Sequence, residues 1–425
     1  MVRVAFVSPL PPAPTGIATY ANAVLQGLER IGFLRDHDLD RIWPVDADAI
    51  RRAKAADVRV YQLGNNVDFH GAIYELSIAE PGVLVLHDLG LDGLVRALGP
   101  LTESARVEAL AAVVPDADPD DPLAIPWCAQ AVRRARVVIV HSRYAREGLL
   151  RIGCRTPVMV AAHPLVETDE AIVRAKARRG ELRAQVARDA DVIVGIAGDL
   201  NESKGITETL AAVAGIGPRA HALLVGRVLP HYRVHEVVAA CGLGERVSIV
   251  PDVTDEDFLA WLCAVDVLVN LRHPHRGETS GTLIRALQAG VPTVVSAVGT
   301  YLELPDDVVV RIPAGPPDEG ELLAAIGGLV SDAPAREALG VRAAGFAHTA
   351  LAPEATAIVY RDAVDLALAL EADPERRVLV RWAEALQEVG MSPRLVRRGM
   401  GVGFATAVRD LSPDRDPGSV RPKVG

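Results

Sequence analysis

The chain has 425 residues, half of them hydrophobic, a formal net charge of -10 and four cysteines. That length leaves room for two or three domains, and the acidic balance argues against nucleic acid as the main partner. No apolar run reaches the roughly 20 residues that span a bilayer, and Cys128, Cys154, Cys241 and Cys263 form neither a metal-ligand spacing nor a disulfide framework.

Residues 2–7 read as a strand at once, with no signal-peptide pattern, so a cytoplasmic chain with reduced thiols is expected. A proline-rich loop follows to Gly16. Ile17, Tyr20, Ala21, Val24, Leu28 and Ile31 then recur at helical spacing until Gly32 stops the helix. Residues 58–63 form the next strand, followed by Gly64, Asn65, Asn66 and His70. Residues 81–88 end a further strand in His87-Asp88, where polar side chains line the crevice of an open parallel sheet. The acidic stretch 115–122 reads as a solvated loop. Strands at 137–141 and 157–161 close the first half, and residues 167–190 are charged, alanine-rich and helical. The domain boundary is expected at about 165–185.

The second half opens with a buried strand at 191–198 and runs through Asp199 to Lys204-Gly205 at a helix start. A lysine there suits a diphosphate, because its ammonium neutralises charge while N–H groups and the helix dipole hold oxygens. Strands at 221–225 and 247–253 alternate with helices near 232–241 and 255–264. The repeat of strand, helix, strand predicts a parallel sheet covered on both faces. Then comes Asp266-Val-Leu-Val-Asn270, a polar loop, Gly277-Glu-Thr-Ser-Gly281 and a strand from Pro292. Ser280 is placed to cap a helix whose Leu283, Ile284 and Leu287 share a face, with Gly290 ending it. A Glu, a Ser and a Thr crowded at that helix start point to a phosphorylated ligand with a polar body. A strand at 308–311 and helices near 319–330, 334–347 and 353–370 complete the body. Beyond Pro374 the chain turns arginine-rich, predicting a peripheral helix that docks on the body or touches an anionic membrane, then a disordered end.

The stretch Arg285-Ala-Leu-Gln-Ala-Gly-Val-Pro292 resembles the motif of the retaining glycosyltransferases of family 4 (glycosyl transferases group 1), which have the GT-B fold. Their usual form is Glu, seven residues, Glu, then Ala-Met-Ala-x-Gly-x-Pro. Here Arg285 replaces the second Glu, which normally holds the ribose hydroxyls, and Glu278 stands one residue late. The Gly-Ile-Ala segment at Gly16 and the Pro-Gly-x-x-x-Leu-His-Asp segment also resemble that family, as does Lys204-Gly205. In the family an Arg five residues before that Lys completes a clamp on the donor pyrophosphate. Asp199 occupies its place, leaving Arg227, Arg272 and Arg285 as candidates for the missing cation.

The resemblance implies two doubly wound, Rossmann-like α/β domains facing a cleft. Residues 1–170 would form the acceptor side, 185–350 the nucleotide-sugar donor side, and 351–372 a helix crossing back, with 373–425 outside it. It implies transfer of a sugar from a nucleotide-diphosphate donor to an acceptor with retention, needing neither cofactor nor metal. Donor contacts would come from Gly16, Asp199, Lys204, Arg227, Glu278, Thr279, Ser280, Gly281, Thr282 and Arg285. Acceptor-side contacts would come from Asn65, His70, His87 and Asp88. Glu278 would orient the donor sugar, Lys204 stabilise the leaving group, and His87 contact sugar or acceptor. Two alternatives stand beside this: a nucleotide-sugar epimerase of the same fold, and a nucleotide-sugar binding protein without turnover. A dinucleotide-dependent oxidoreductase would need a Gly-x-Gly-x-x-Gly after a strand, and none follows one.

Overall fold

The computed structural model describes residues 1–99, 101–113, 121–187 and 192–372. The arginine-rich segment from residue 373 and most of the acidic stretch 115–122 lie outside these residues. Two six-stranded parallel sheets are present. The first contains β1 (Val2–Val7), β2 (His37–Ile42), β3 (Val58–Leu63), β4 (Val83–Leu86), β5 (Val137–Val140) and β6 (Val158–Val160), in the order β2-β1-β3-β4-β5-β6. The second contains β7 (Val192–Ala197), β8 (Ala220–Val225), β9 (Val247–Val250), β10 (Val267–Asn270), β11 (Thr293–Ser296) and β12 (Val310–Ile312), in the order β12-β11-β10-β7-β8-β9.

Central strands are buried on both faces, so β4, β5 and β7 read as continuous apolar runs rather than alternating ones, while the equally buried β3 and β10 also carry Arg59, Gln62 and Asn270. The expected parallel, doubly covered sheets are therefore present. β2, with the sequence HDLDRI, is an addition: it sits at the sheet edge, where one flank and part of each face stay wet, and its polar residues give no apolar signal. Among the described residues no helix is long and apolar enough to cross a membrane.

The helical stretch expected at 167–190 divides into Asp169–Ala177 and Arg179–Val186. Both pack against the helix Asp255–Ala264 beside the second sheet, through Ile172, Ala175 and Leu182. Arg179 and Arg183 both pair with Asp266, which fastens the second of these helices to the start of β10. At the other end of the chain, the helix Pro353–Ala372 returns to the first sheet. It buries Ala357, Tyr360, Ala363, Val364 and Ala367 against Tyr20, Val24 and Leu28 of the helix Gly16–Arg30.

In parallel sheets of this kind the loops at the carboxyl ends of the strands form the crevice. Those of the first sheet meet those of the second directly. Leu89 and Gly90 donate backbone N–H bonds to the Arg276 carbonyl at 3.1 and 3.0 Å. Arg143 and Tyr144, in the first turn of the helix Arg143–Arg151, donate theirs to the Glu303 carboxylate at 3.1 and 2.7 Å.

Candidate functional site

The loop after β10 carries the centre of the site. Ser280 caps the helix Gly281–Ala289 by accepting from Leu283 N, and Gly290 ends it in the left-handed region. The first-turn N–H groups of Gly281 and Thr282 have no partner within the helix and face outward from its start. Opposite them is Gly198, at φ +103 after β7. A Cβ built on Gly198 would lie 3.0 Å from both Lys204 Nζ and Thr282 Oγ1, so the three groups converge on one point. Lys204 is only 5% exposed, and its ammonium donates to the Ala197 carbonyl at 2.7 Å. Burial holds its pKa well below the ordinary lysine value, and the nearby Arg272 charge lowers it further.

Glu278 accepts from Arg276 N at 2.7 Å and pairs with Arg272 Nε at 2.8 Å. Burial pushes its carboxyl up, but Arg272 and backbone N–H groups more than offset this, and it stays ionised. Thr279 faces a cavity of about 200 Å³ between the two sheets, lined also by His141, Ser142, His163, Leu283 and Phe346.

On the first-domain side, Gly16 opens its helix with nothing within 4 Å of where a Cβ would stand. Asn65 is spent on internal fastening: its N–H reaches Asp88 at 3.0 Å, its amide nitrogen Asp92 at 3.2 Å, and its amide oxygen accepts from Leu94 N at 2.9 Å. Asp88 is partly open to the crevice. Burial, with Glu278 adding to it, pushes its carboxyl up to about 7.

Several of the expected contact residues have partners within the protein. His70, expected on the acceptor side, is 1% exposed and held to the Gln62 carbonyl at 3.1 Å; burial takes its pKa down to about 4. It is a core histidine. Arg285, expected at the donor, is turned the other way, pairing with Glu167 at 2.8 Å and Asp255 at 3.6 Å and lying over the Phe258 ring. Asp199 and Arg227 pair with each other at 2.7 Å on the exposed rim.

His87 belongs to a buried chain of polar groups that no local signal revealed. His141 Nδ1 lies 3.0 Å from the Ala161 carbonyl, His141 Nε2 3.1 Å from His87 Nδ1, and His87 Nε2 2.8 Å from the Gln62 amide. Gln62 continues to Tyr360 at 3.0 Å and Tyr360 to Tyr20 at 2.9 Å. Burial lowers the pKa of both histidines, so the rings are neutral. A carbonyl only accepts, so His141 carries its proton on Nδ1, and His87 then donates from its own Nδ1. That leaves His87 Nε2 as an acceptor, which requires the Gln62 amide to turn its nitrogen toward it. Both His87 nitrogens are therefore occupied within the protein, which leaves the ring edge, rather than a ring nitrogen, for any ligand. Tyr20, with its ring 4.7 to 5.0 Å from those of His87, His141 and His163, and Tyr360 were legible only as core aromatics.

Among the described residues no group of three or more His, Cys, Asp or Glu is placed to hold a metal ion. Comparison with known proteins finds a likeness in the second half. Residues 191–332 match the family described as glycosyl transferases group 1. The match lies within the second domain. No curated protein sequence matches the chain. The fold extends the likeness to both halves of this glycosyltransferase-like chain. HepE of Anabaena, solved with UDP and glucose, aligns at a TM-score of 0.61 and 17% identity, covering 86% of this chain and 100% of its own. Sucrose-phosphate synthase of Thermosynechococcus elongatus aligns at 0.59 and 18%, covering 85% and 99%. The catalytic domain of starch synthase IV of Arabidopsis thaliana, bound to ADP and acarbose, aligns at 0.59 and 12%, covering 87% and 99%. The region matched by the family model thus forms one half of a GT-B fold.

Proposed function

We propose that the protein is a glycosyltransferase that moves a sugar from a nucleotide-diphosphate donor to an acceptor with retention of anomeric configuration. The observation that carries this reading is the convergence of Lys204, Thr282 and the unpaired N–H groups of Gly281 and Thr282 on the space beside Gly198. A buried ammonium and a helix start aimed at one point suit the charge that grows on a leaving diphosphate. In the reaction the bond from the anomeric carbon to the diphosphate oxygen breaks and a bond to the acceptor oxygen forms on the same face. The acceptor proton leaves with the diphosphate. Glu278, fixed by Arg272 and its own loop, is positioned to take hydroxyls of the donor sugar. Charge on the leaving group is met in this reading by fixed donors of the chain.

One observation favours a second reading. Asp88, with its carboxyl raised to about 7, faces the crevice near the ionised Glu278, as an epimerase's general base would. The two are separated by calorimetry and product analysis with UDP-, GDP-, ADP- and dTDP-sugars. Release of free nucleoside diphosphate only with an acceptor present is the expected transferase result. Interconversion of two nucleotide sugars without acceptor would establish the epimerase. Binding with neither reaction would leave a binding protein, and no binding of any nucleotide sugar would overturn the whole reading.

A further inference from the structure

We infer that Arg272 is the second cation of the diphosphate clamp, delivered from the end of β10 and acting with Lys204 across the start of the helix Gly281–Ala289. The inference rests on the nucleotide-sugar reading above. The family's usual clamp arginine is replaced by Asp199, and three arginines stood as candidates for its task. Arg227 is committed to Asp199 through a two-pronged pair, with Nε at 3.1 Å and Nη2 at 2.7 Å, on the exposed rim. Arg285 is committed to Glu167 and Asp255. Arg272 alone of the three touches the cap of the helix: its Nη2 donates to Ser280 Oγ at 3.2 Å.

Donor arithmetic supports the role. A guanidinium carries five N–H groups. Arg272 spends one from Nε on Glu278 at 2.8 Å, one from Nη1 on the Leu271 carbonyl at 2.7 Å and one from Nη2 on Ser280. One N–H on each terminal nitrogen remains, the pair that grips a phosphate in two-pronged fashion. The backbone is fixed as well, since Arg272 N donates to Ser296 Oγ at 3.1 Å.

Charge balance points the same way. Arg272 lies close enough to Lys204 for its charge to act on the lysine; Lys204 is 5% exposed and the Arg272 side chain 12%. Asp199 offsets part of the Lys204 charge but is itself paired with Arg227, and Glu278 also accepts from Arg276 N. Arg272 still lowers the Lys204 pKa despite the carboxylates of Glu278 and Asp199, so the two cations repel each other, and a diphosphate beside them would relieve that repulsion. The substitution at Asp199 thus relocates the second positive centre from the β7 loop to the β10 loop, bringing it beside Glu278.

The test is calorimetry on the full chain with inorganic pyrophosphate and with UDP, GDP and ADP, comparing wild type with R272Q, R272K, K204Q, E278Q, R227Q and R285Q. A charge-assisted hydrogen-bonding partner of this kind contributes about tenfold or more in affinity. R272Q is expected to weaken pyrophosphate and the bound nucleoside diphosphate by at least about tenfold, and R272K, which keeps charge but loses the fork, by about threefold to tenfold. R272K keeps the test decisive if R272Q does not fold. The inference is overturned if both Arg272 variants bind like wild type, or if the loss falls on R227Q or R285Q. It is also overturned if E278Q loses more pyrophosphate affinity than R272Q, since Glu278 would then hold some group other than Arg272 that carries the binding. Should K204Q lose binding while Arg272 variants do not, the nucleotide-sugar reading survives and this inference falls. Should wild type bind none of the four compounds, both fall together.

Discussion

Arg276 of the second domain pairs with Asp92 of the first at 3.2 Å across the crevice, two residues from Glu278. The Arg276 carbonyl also accepts from Leu89 N and Gly90 N, and the next residue, Gly277, has φ +73 and packs on Leu89. The loop that carries Glu278 is therefore seated on the first domain.

The side-chain pair and the backbone seat should contribute unequally. Both charges are partly exposed, so R276A should cost no more than about 1 kcal/mol in urea unfolding. G277A should cost more, about 2 kcal/mol, because a Cβ there meets Leu89 at 2.8 Å in a backbone conformation only glycine adopts freely. Equal losses in the two variants would contradict this division.

Lys204 illustrates a site held against its own stability. K204M should stabilise the ligand-free protein by on the order of 1 kcal/mol, since it removes a buried charge next to Arg272, while abolishing diphosphate binding. Its folded pKa lies below its unfolded value, so as pH falls below about 10.5 the unfolded chain takes the proton first. The stability gap between K204M and wild type should widen on lowering pH through that window. Urea titrations of both proteins between pH 10 and 7 would show a constant gap if Lys204 titrated normally.

Asp88 shifts the other way. Its folded pKa of about 7 exceeds the ordinary carboxyl value, so the folded protein holds a proton that the unfolded chain has lost between about pH 4 and 7. Wild type should lose stability relative to D88N as pH rises across that range, with the difference level above it. The span is at most about 4 kcal/mol, and less because the carboxyl is partly open to solvent. If Asp88 acts on the substrate, the limb near pH 7 in the activity profile should vanish in D88N.

Much of this was readable in advance. Ser280 as cap, Gly290 as stop and the apolar strands on either side are local signals, each fixed by residues within one turn of the feature. The partners of the arginines were not readable, because a guanidinium on a long side chain chooses its carboxylate in three dimensions: Arg285 selects Glu167, 118 positions earlier in the chain. His70 looked like a crevice residue because it follows a strand end closely, yet it sits inside the helix Val67–Ala79 on its buried face. Tyr20 and Tyr360 meet at 2.9 Å although 340 residues separate them, which no spacing rule reaches.

That contact supports a further prediction. Y360F removes the hydroxyl that joins Tyr20 to Gln62 and leaves buried polar groups unpaired at both, which should cost about 1–3 kcal/mol in unfolding. Because Gln62 also holds His87, the variant should shift the His87 ring resonances in NMR spectra. An unchanged spectrum would mean that the chain of polar groups is not continuous.

E278Q tests the site from the other side. The amide keeps the size but loses the charge that fixes Arg272, so kcat for transfer should fall about 10²-fold while donor affinity changes far less. A matching loss in affinity would place Glu278 in ground-state binding instead.

The return of the helix Pro353–Ala372 to the first sheet shapes how the molecule can move. Leu165 N donates to the Leu351 carbonyl at 2.9 Å, and the Thr356 hydroxyl donates to the Ala162 carbonyl at 2.7 Å. The outgoing and returning passes of the chain thus run side by side, joined like the spine of a book. A joint of that kind would open and shut about one line while resisting twist and sliding, so the two covers would meet again in the same alignment after each opening. A protease cut in either pass alone would leave the covers attached through the other.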